Sequence, residues 1–519
     1  MSVLLIYPPV SKPGEPPAGI ARLAGSLLAH GIDHQVVDAS LESILFLLKD
    51  GASDDDRWTR RADRNRFRNL ESIRNGLAFA NLDRYKRAVF DINRVLHMRG
   101  RAAGIDLGLA NFQSSRLSPL NSSDLRWISE HPEHDLFFNY NQHRIIPLIN
   151  ESRPELIGIS LNFLSQALPA FAMAGLIRRQ FPDIRIALGG GLITSWCRRF
   201  NWENPFEGLI DHLVAGPGEA PLLELLGMRQ RFKTVTPAYQ QFPRSDYLSP
   251  GFVLPYSASS GCYWNRCAFC PERAEGNPYH PVPVSRVISD LDRLVNMWRP
   301  SLIHILDNAI SPKLLRAIAD TGLGAPWYGF ARVQRQLLDP GFCRALKDAG
   351  CVMLKLGLES GDQRVLDSMR KGITVSDASR VLHCLETAGI TTYVYLLFGT
   401  AAETIAEARQ TLTFTAGNAG GIGFLNLAIF NMPKNGPDTG QLVTRPFDDA
   451  DLSLYLDFDH PAGWKRAEVR RFLEKEFKKN PAIAGIVRRD PPIFTSNHAP
   501  FFAMGSRSDL RRSQQAATN

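Results

Sequence analysis

The chain has 519 residues, 44% of them hydrophobic and 22% charged, a composition that excludes a disordered or fibrous chain and allows two or three folded domains. Its 60 basic and 52 acidic residues leave a net charge of +8, which does not call for nucleic acid, and no run of eighteen apolar residues marks a membrane span. Seven cysteines, odd in number and uneven in spacing, argue against a disulfide framework and fit a reducing, cytoplasmic setting.

Residues 3–7 read as a buried strand and not as a signal peptide, because no basic segment precedes the apolar run. A turn rich in proline and glycine follows (Pro8-Pro9, Pro13-Gly14, Pro16-Pro17). Ile20, Leu23, Ala24, Leu27 and Leu28 then share one helical face, Gly31 ends that helix, and 35–38 is the next strand. Residues 45–150 break the rhythm with charged helical stretches and read as a mainly helical insertion. The alternation returns with a strand at 156–160, a helix at 167–179 and a strand at 184–188 that ends in Gly189-Gly190-Gly191. A short strand at 212–216 follows, and Gly218-Glu219 opens another helix. This pattern predicts an α/β domain over 1–228: a Rossmann-like parallel sheet with binding loops at the carboxyl ends of its strands. Small residues at those ends let backbone approach a flat ligand or a phosphate tail; they also serve plain tight turns. Residues 229–251, with Lys233, Pro237, Pro243 and Ser249-Pro250, read as a linker.

Residues 252–256 read as a strand leading into Ser259-Ser260-Gly261-Cys262-Tyr263-Trp264-Asn265-Arg266-Cys267-Ala268-Phe269-Cys270. Three thiolates on a glycine-led turn suit a soft metal centre. Structural zinc wants four protein ligands, whereas three leave an iron–sulfur cubane with one open iron. The alternatives are zinc completed by His280, a metal or redox sensor, or buried free thiols. Cys197, Cys343, Cys351 and Cys384 are scattered singly, and the last three read as packing residues.

Six strands are expected at 256–259, 302–306, 327–331, 352–358, 391–398 and 422–429. Helical patterns lie between them at 283–298, 311–320, 339–349, 362–369, 375–388 and 403–416. In such β/α barrels chemistry gathers at the carboxyl ends of the strands. Asp307, Arg332 and Glu359 stand at such ends. Each also has a structural reading: Asp307 as a helix cap near Ser311, Arg332 as a rim salt bridge, Glu359 paired with Lys355 or Arg332. His304, in mid-strand, reads as a core histidine. Residues 433–519 form an extension with a basic helix at 467–479, either a cap over the barrel or a packing appendage, and the tail after Gly505 reads as disordered.

The cysteine run resembles the signature of the radical S-adenosylmethionine superfamily, with Phe269 in the aromatic position before the last cysteine. The usual spacing is Cys-x3-Cys-x2-Cys; this chain has Cys-x4-Cys-x2-Cys, with the extra residue among Tyr263, Trp264, Asn265 and Arg266. Further matches are Leu302 to Asn308, Phe330-Ala331-Arg332-Val333, Leu356 to Gly361, Met369-Arg370-Lys371-Gly372 and Leu397 to Thr404, where Ala401-Ala402 replaces the common proline turn. The resemblance implies a partial (β/α)6 barrel over 252–432 and a 4Fe-4S cluster on Cys262, Cys267 and Cys270. It further implies S-adenosylmethionine (SAM) held by Phe269, Asp307, Arg332, Glu359 and Gly399. In that scheme the acid holds the amine, Arg332 the carboxylate and Glu359 the ribose hydroxyls, while Phe269 and the backbone at Gly399 flank the adenine. A flavodoxin- or ferredoxin-type donor would supply the electron that yields methionine and a 5′-deoxyadenosyl radical.

The first half is similar to the cobalamin-binding-type domain that precedes many such barrels, on Tyr7-Pro8-Pro9, Pro17 to Ile20, Gly158-Ile159-Ser160, Leu188 to Gly191 and Ala215 to Glu219. That likeness implies cobalamin held by Ser160, Gly189, Gly190, Gly216 and Glu219. The ligating motif Asp-x-His-x-x-Gly is absent from the chain, which leaves open an empty, purely structural domain. With cobalamin, the implied reaction is methylation of an unactivated carbon or phosphorus. Without it, hydrogen abstraction would drive a rearrangement, ring closure or sulfur insertion on a peptide, RNA or small molecule. No feature of the sequence points to the substrate.

Overall fold

Apolar runs buried on both faces build the first sheet. β1 (Ser2–Tyr7), β2 (Asp33–Asp38), β5 (Leu156–Ser160), β6 (Arg185–Gly189) and β7 (His212–Leu213) pair in parallel in the order β2-β1-β5-β6-β7. Leu4, Leu5, Ile6 and Ile157 are wholly buried, as expected where helices cover both faces of a parallel sheet. Strand order reverses between β1 and β5, and there the carboxyl ends leave a crevice. Between β2 and β5 lie the helices Ala39–Lys49, Arg57–Arg74 and Leu82–Arg101, a hairpin of β3 (Ile105–Gly108) and β4 (Asn111–Ser114), and shorter helices.

The computed structural model describes residues 2–51, 56–228, 235–437, 439–447, 449–492 and 498–503. Lys233 of the expected linker and the tail after Gly505 lie outside the described residues. The described residues fall into two compact units: those within 2–255, with 449–453, 492 and 498, and those within 256–447, with 454–491 and 499–503. The described part of the expected linker is folded into the first unit. Ala238 N donates to Ala21 O at 2.9 Å, Leu248 N to Pro13 O at 2.8 Å, and the Tyr247 hydroxyl to Asp38 at 2.7 Å. The prolines read as linker because they interrupt secondary structure; their neighbours nevertheless bury side chains against the helix Ala18–Ala29 and the end of β2.

A second sheet is ordered β15-β14-β13-β12-β11-β8, and all of it except residues 253–255 belongs to the second unit. Its strands are β8 (Val253–Tyr256), β11 (Leu302–Ile305), β12 (Trp327–Ala331), β13 (Cys351–Glu359), β14 (Thr391–Phe398) and β15 (Phe424–Ile429). β11 to β15 are mutually parallel, with helices at 284–298, 312–321, 340–348, 363–368, 375–387 and 405–417. This is an open half-barrel in chain order. The first strand ends at Tyr256. Beyond it β9 (Ser259–Ser260) pairs antiparallel with β10 (His280–Pro281), so the cysteines lie in the loop between two short strands.

After the barrel come β16 (Met432–Pro433), β17 (Thr444–Pro446) and β18 (Tyr455–Phe458), which form a small antiparallel sheet. The basic helix expected at 467–479 runs from Arg466 to Phe472 and continues as a π-turn at Leu473–Phe477. Phe472 and Phe477 pack their rings on Phe398 at 6.1 and 5.4 Å.

Candidate functional site

The cysteine loop is fixed at its base. Gly261 has φ +71°, and a Cβ there would stand 2.4 Å from Pro278 O, so the turn needs glycine. Asp307, 3% exposed just beyond β11, accepts from Ala258 N at 2.7 Å, Ser259 N at 3.1 Å and the Ser259 hydroxyl at 2.7 Å. Both of its oxygens are engaged by the residues that launch the loop. The neighbouring helix is capped instead by Ser311, whose hydroxyl oxygen accepts from Leu314 N at 3.2 Å.

All three cysteines are free thiols; Cys267 is buried, and Cys262 and Cys270 are half-buried. Burial pushes the Cys270 thiol up to about 11, so its thiolate needs a positive centre beside it. Among the described residues, no three His, Cys, Asp or Glu side chains converge on one ion-sized point.

Arg332 follows β12 and is buried. One Nη lies 3.8 Å from Cys267 Sγ, the other donates to Lys371 O, and the guanidinium lies over the Trp264 ring at 4.2 Å. Glu359 ends β13 at φ +73° and accepts from Lys371 Nζ at 2.8 Å. Lys371 lies 5.5 Å from the centre of the Phe269 ring. Thus Phe269, Arg332 and Glu359 meet around one lysine that sequence reasoning did not single out. Neither Lys355 nor Arg332 is the Glu359 partner in this ion pair. Lys355 is buried 3.3 Å from His304 Nε2 and over the Tyr328 and Phe330 rings, and His304 stacks on Tyr328 at 4.2 Å.

Gly399 belongs to another cluster. It has φ +80°, its N–H donates to Glu403, and a Cβ there would stand 3.2 Å from Val469. With Phe430, His460 and Trp464 it lines a cavity of about 170 Å³. Glu403 is wholly buried; the same oxygen that takes the Gly399 amide accepts from Trp464 Nε1 at 3.1 Å, and His460 Nε2 donates to Thr400 O at 3.0 Å. Burial pushes the Glu403 carboxyl up to about 7.

The first unit holds a cavity of about 270 Å³ at the carboxyl ends of its strands, lined by Ser160, Asn162, Gly189, Gly190, Gly216 and Glu219 among others. Its floor includes Leu5 and Gly158, on either side of the reversal in strand order. Gly190 has φ +106°, and a Cβ there would stand 2.4 Å from Leu161 O. A Cβ at Gly158 would meet Leu5 Cδ2 at 2.9 Å. Glu219 is buried and paired with Arg22, which also lines the cavity. Among the described lining residues there is no histidine.

Trp264, Lys371, Glu403 and Arg22 were not singled out from sequence. The first three lie inside motifs recognisable by eye, but their roles depend on partners far along the chain.

Residues 256–415 match the sequence model of the radical SAM superfamily. A radical SAM methyltransferase, TsrM from Kitasatospora setae, solved with tryptophan substrate and a SAM analogue, superposes with TM-score 0.53 at 15% identity, covering 99% of each chain. The cobalamin-dependent SAM radical enzyme OxsB, solved with aqua-cobalamin, superposes with TM-score 0.58 at 13% identity, covering 89% of this chain and 64% of that one. In sequence, the chain is 23% identical over 310 residues to an uncharacterized methyltransferase of Pyrococcus horikoshii, a match over 52% of this chain and 66% of the relative. It is 24% identical over 279 residues to the hopanoid C-3 methylase of Methylococcus capsulatus, a match over 47% of this chain and 53% of the relative. The matches therefore span just under two thirds and about half of those two relatives. The segment that matches the radical SAM superfamily, residues 256–415, holds the cysteine loop and most of the half-barrel, and the two solved structures share the fold of the chain.

Proposed function

We propose that this protein is a cobalamin-dependent radical SAM methyltransferase. The observation that carries this reading is the pairing, in one chain, of a three-thiol loop at the end of the first barrel strand with a glycine-lined cavity at the switch point of a Rossmann-type sheet. A cubane takes three thiolates and leaves one iron open, which suits three free cysteines in one short loop. The cavity suits a flat or elongated ligand, because glycines stand where side chains would fill the space.

When bound, the cluster supplies an electron to a sulfonium carbon–sulfur bond of SAM, and the cobalt supplies a carrier for a methyl group. The chain's own residues bind and orient. Asp307 is a positioning residue: it fixes Ala258 and Ser259 and so the start of the cysteine loop. Glu359, aimed by Lys371, offers a carboxylate oxygen to ribose hydroxyls, and Phe269 flanks the adenine. Ser160, Gly189, Gly190 and Gly216 line the cobalamin cavity, and Glu219 with Arg22 forms its charged wall. A flavodoxin- or ferredoxin-type protein supplies the electron, and the methyl acceptor is an unactivated carbon or phosphorus.

The test is anaerobic reconstitution with iron, sulfide and hydroxocobalamin, then incubation with SAM and dithionite. Retained cobalamin absorption, with S-adenosylhomocysteine and 5′-deoxyadenosine among the products, supports the proposal. A cluster and 5′-deoxyadenosine without retained cobalamin would favour direct radical chemistry, in keeping with the missing Asp-x-His-x-x-Gly motif. Zinc without sulfide would return the cysteines to a sensor.

A further inference from the structure

We infer that Trp264, the largest residue of the lengthened Cys262–Cys267 loop, is a positioning residue that holds the Arg332 guanidinium against Cys267 and so makes the cluster easier to reduce. This inference rests on the proposed function, in that Cys267 must ligate a cluster.

The geometry begins with the extra residue. Asn265 takes φ +42°, a left-handed turn that asparagine tolerates, and so folds the longer loop back on itself. Trp264 is docked on the segment after the fourth barrel strand. Its Nε1 donates to Arg370 O at 3.3 Å, and its six-membered ring lies where a side chain at Gly372 would be: a Cβ there would stand 2.1 Å from Trp264 Cζ2. Gly372 has φ +69°, so both its backbone and its bare Cα make room for the indole.

Two guanidiniums flank the ring, Arg332 at 4.2 Å and the exposed Arg266 at 5.1 Å from its centre. Arg332 is held on its remaining sides by Lys371 O and by the Cys267 sulfur. A planar guanidinium stacked on an indole loses little freedom when it turns an N–H toward an acceptor. A lysine would have no comparable flat surface to seat it.

A cation at a cluster thiolate stabilises whichever oxidation state carries more negative charge. Reduction adds one electron, so the Arg332 charge favours the reduced cluster and raises its potential. Trp264 acts through Arg332 and has no charge of its own. The two effects should therefore be coupled, and this separates positioning from simple packing.

The experiment is an EPR-monitored redox titration of the reconstituted cluster in the full chain, with iron and sulfide measured on each sample. Arg332→Gln is expected to lower the reduced-to-oxidised ratio about tenfold at fixed potential, which for one electron is about 59 mV. Trp264→Leu should lower it similarly in the parent and leave it unmoved in an Arg332→Gln background. Trp264→Phe keeps the stack and should stay near the parent. If Trp264→Leu assembles no cluster, Trp264→Phe carries the test: a parent-like midpoint supports the inference, and a drop equal to that of Arg332→Gln overturns it. Unmoved midpoints in both single variants, or equal Trp264→Leu shifts in both backgrounds, would overturn this inference alone. A parent chain that assembles no cluster would overturn the proposed function and this inference with it.

Discussion

Glu403 offers a direct test of the reasoning about burial. Its side chain is wholly buried, one oxygen accepts from the Gly399 amide and the Trp464 indole, and the other has no partner among the described residues. Burial raises its pKa from an ordinary 4.5 to about 7. Between those values the folded state holds a proton that the unfolded state has lost, so stability falls as pH rises through this window and levels off above it. At about 1.4 kcal/mol per pH unit, the window corresponds to about 3 kcal/mol. Glu403→Gln removes the titration: the amide oxygen can take both donors, and the amide nitrogen replaces the oxygen that has no partner. The assay is thermal unfolding of cluster-free parent and variant from pH 5 to pH 8, taking the difference so that other carboxylates cancel. For a unit of this size about 2–4 °C accompanies each kcal/mol, so the parent should lose roughly 6–12 °C relative to the variant across the range. A parent-minus-variant difference that is flat with pH would refute the reasoning.

Cys267→Ala should leave the protein without a stable cluster; iron and sulfide at parental stoichiometry would remove Cys267 from the ligand set. Glu359→Gln should weaken SAM binding about tenfold, or about 1.4 kcal/mol, with cluster absorption intact, as measured by equilibrium dialysis; unchanged affinity would return Glu359 to a salt bridge with Lys371. Gly158→Leu places a side chain against Leu5 in the floor of the first unit's cavity and should lower retained cobalamin at least about tenfold on gel filtration, with the cluster unaffected. Equal retention would move cobalamin elsewhere. Gly372→Ala should expel Trp264 from its dock and lower the cluster midpoint as Trp264→Leu does; a parental midpoint would mean the indole is seated by other contacts.

Much of the fold was legible because its signals are local. Leu156–Ser160 and Arg185–Gly189 read as strands since parallel strands covered on both faces carry near-continuous apolar runs, and both appear within a residue of their expected bounds. The first barrel strand was less clear. No breaker follows Tyr256 before Gly261, but Asp307 captures the amides of Ala258 and Ser259, and the chain turns into a hairpin. That capture joins residues 48 and 49 positions apart, beyond the reach of any periodicity argument. Glu359 shows the same limit at short range. Alternation places Lys355, Gly357 and Glu359 on one face of β13, which made Lys355 a reasonable partner. The positive φ at Glu359 turns its carboxylate back over Gly357 toward Lys371 instead.

The cysteine spacing is where sequence and structure inform each other most. Read as a pattern, a fourth residue between Cys262 and Cys267 weakens the match to the signature. Read physically, an inserted residue must find both backbone space and a place for its side chain. Asn265 supplies the first through a left-handed turn, and Gly372 supplies the second by leaving its Cα bare beneath the indole. The compensating residues are far apart, since 106 positions separate Trp264 from the carbonyl of Arg370 that receives its N–H. Trp264 also lies against Arg332, which reaches the Cys267 sulfur. A loop lengthened by chance would need only room. This one has room at Gly372, an anchor on the Arg370 carbonyl and a guanidinium beside Cys267, the three contacts on which the proposed tuning of the cluster rests.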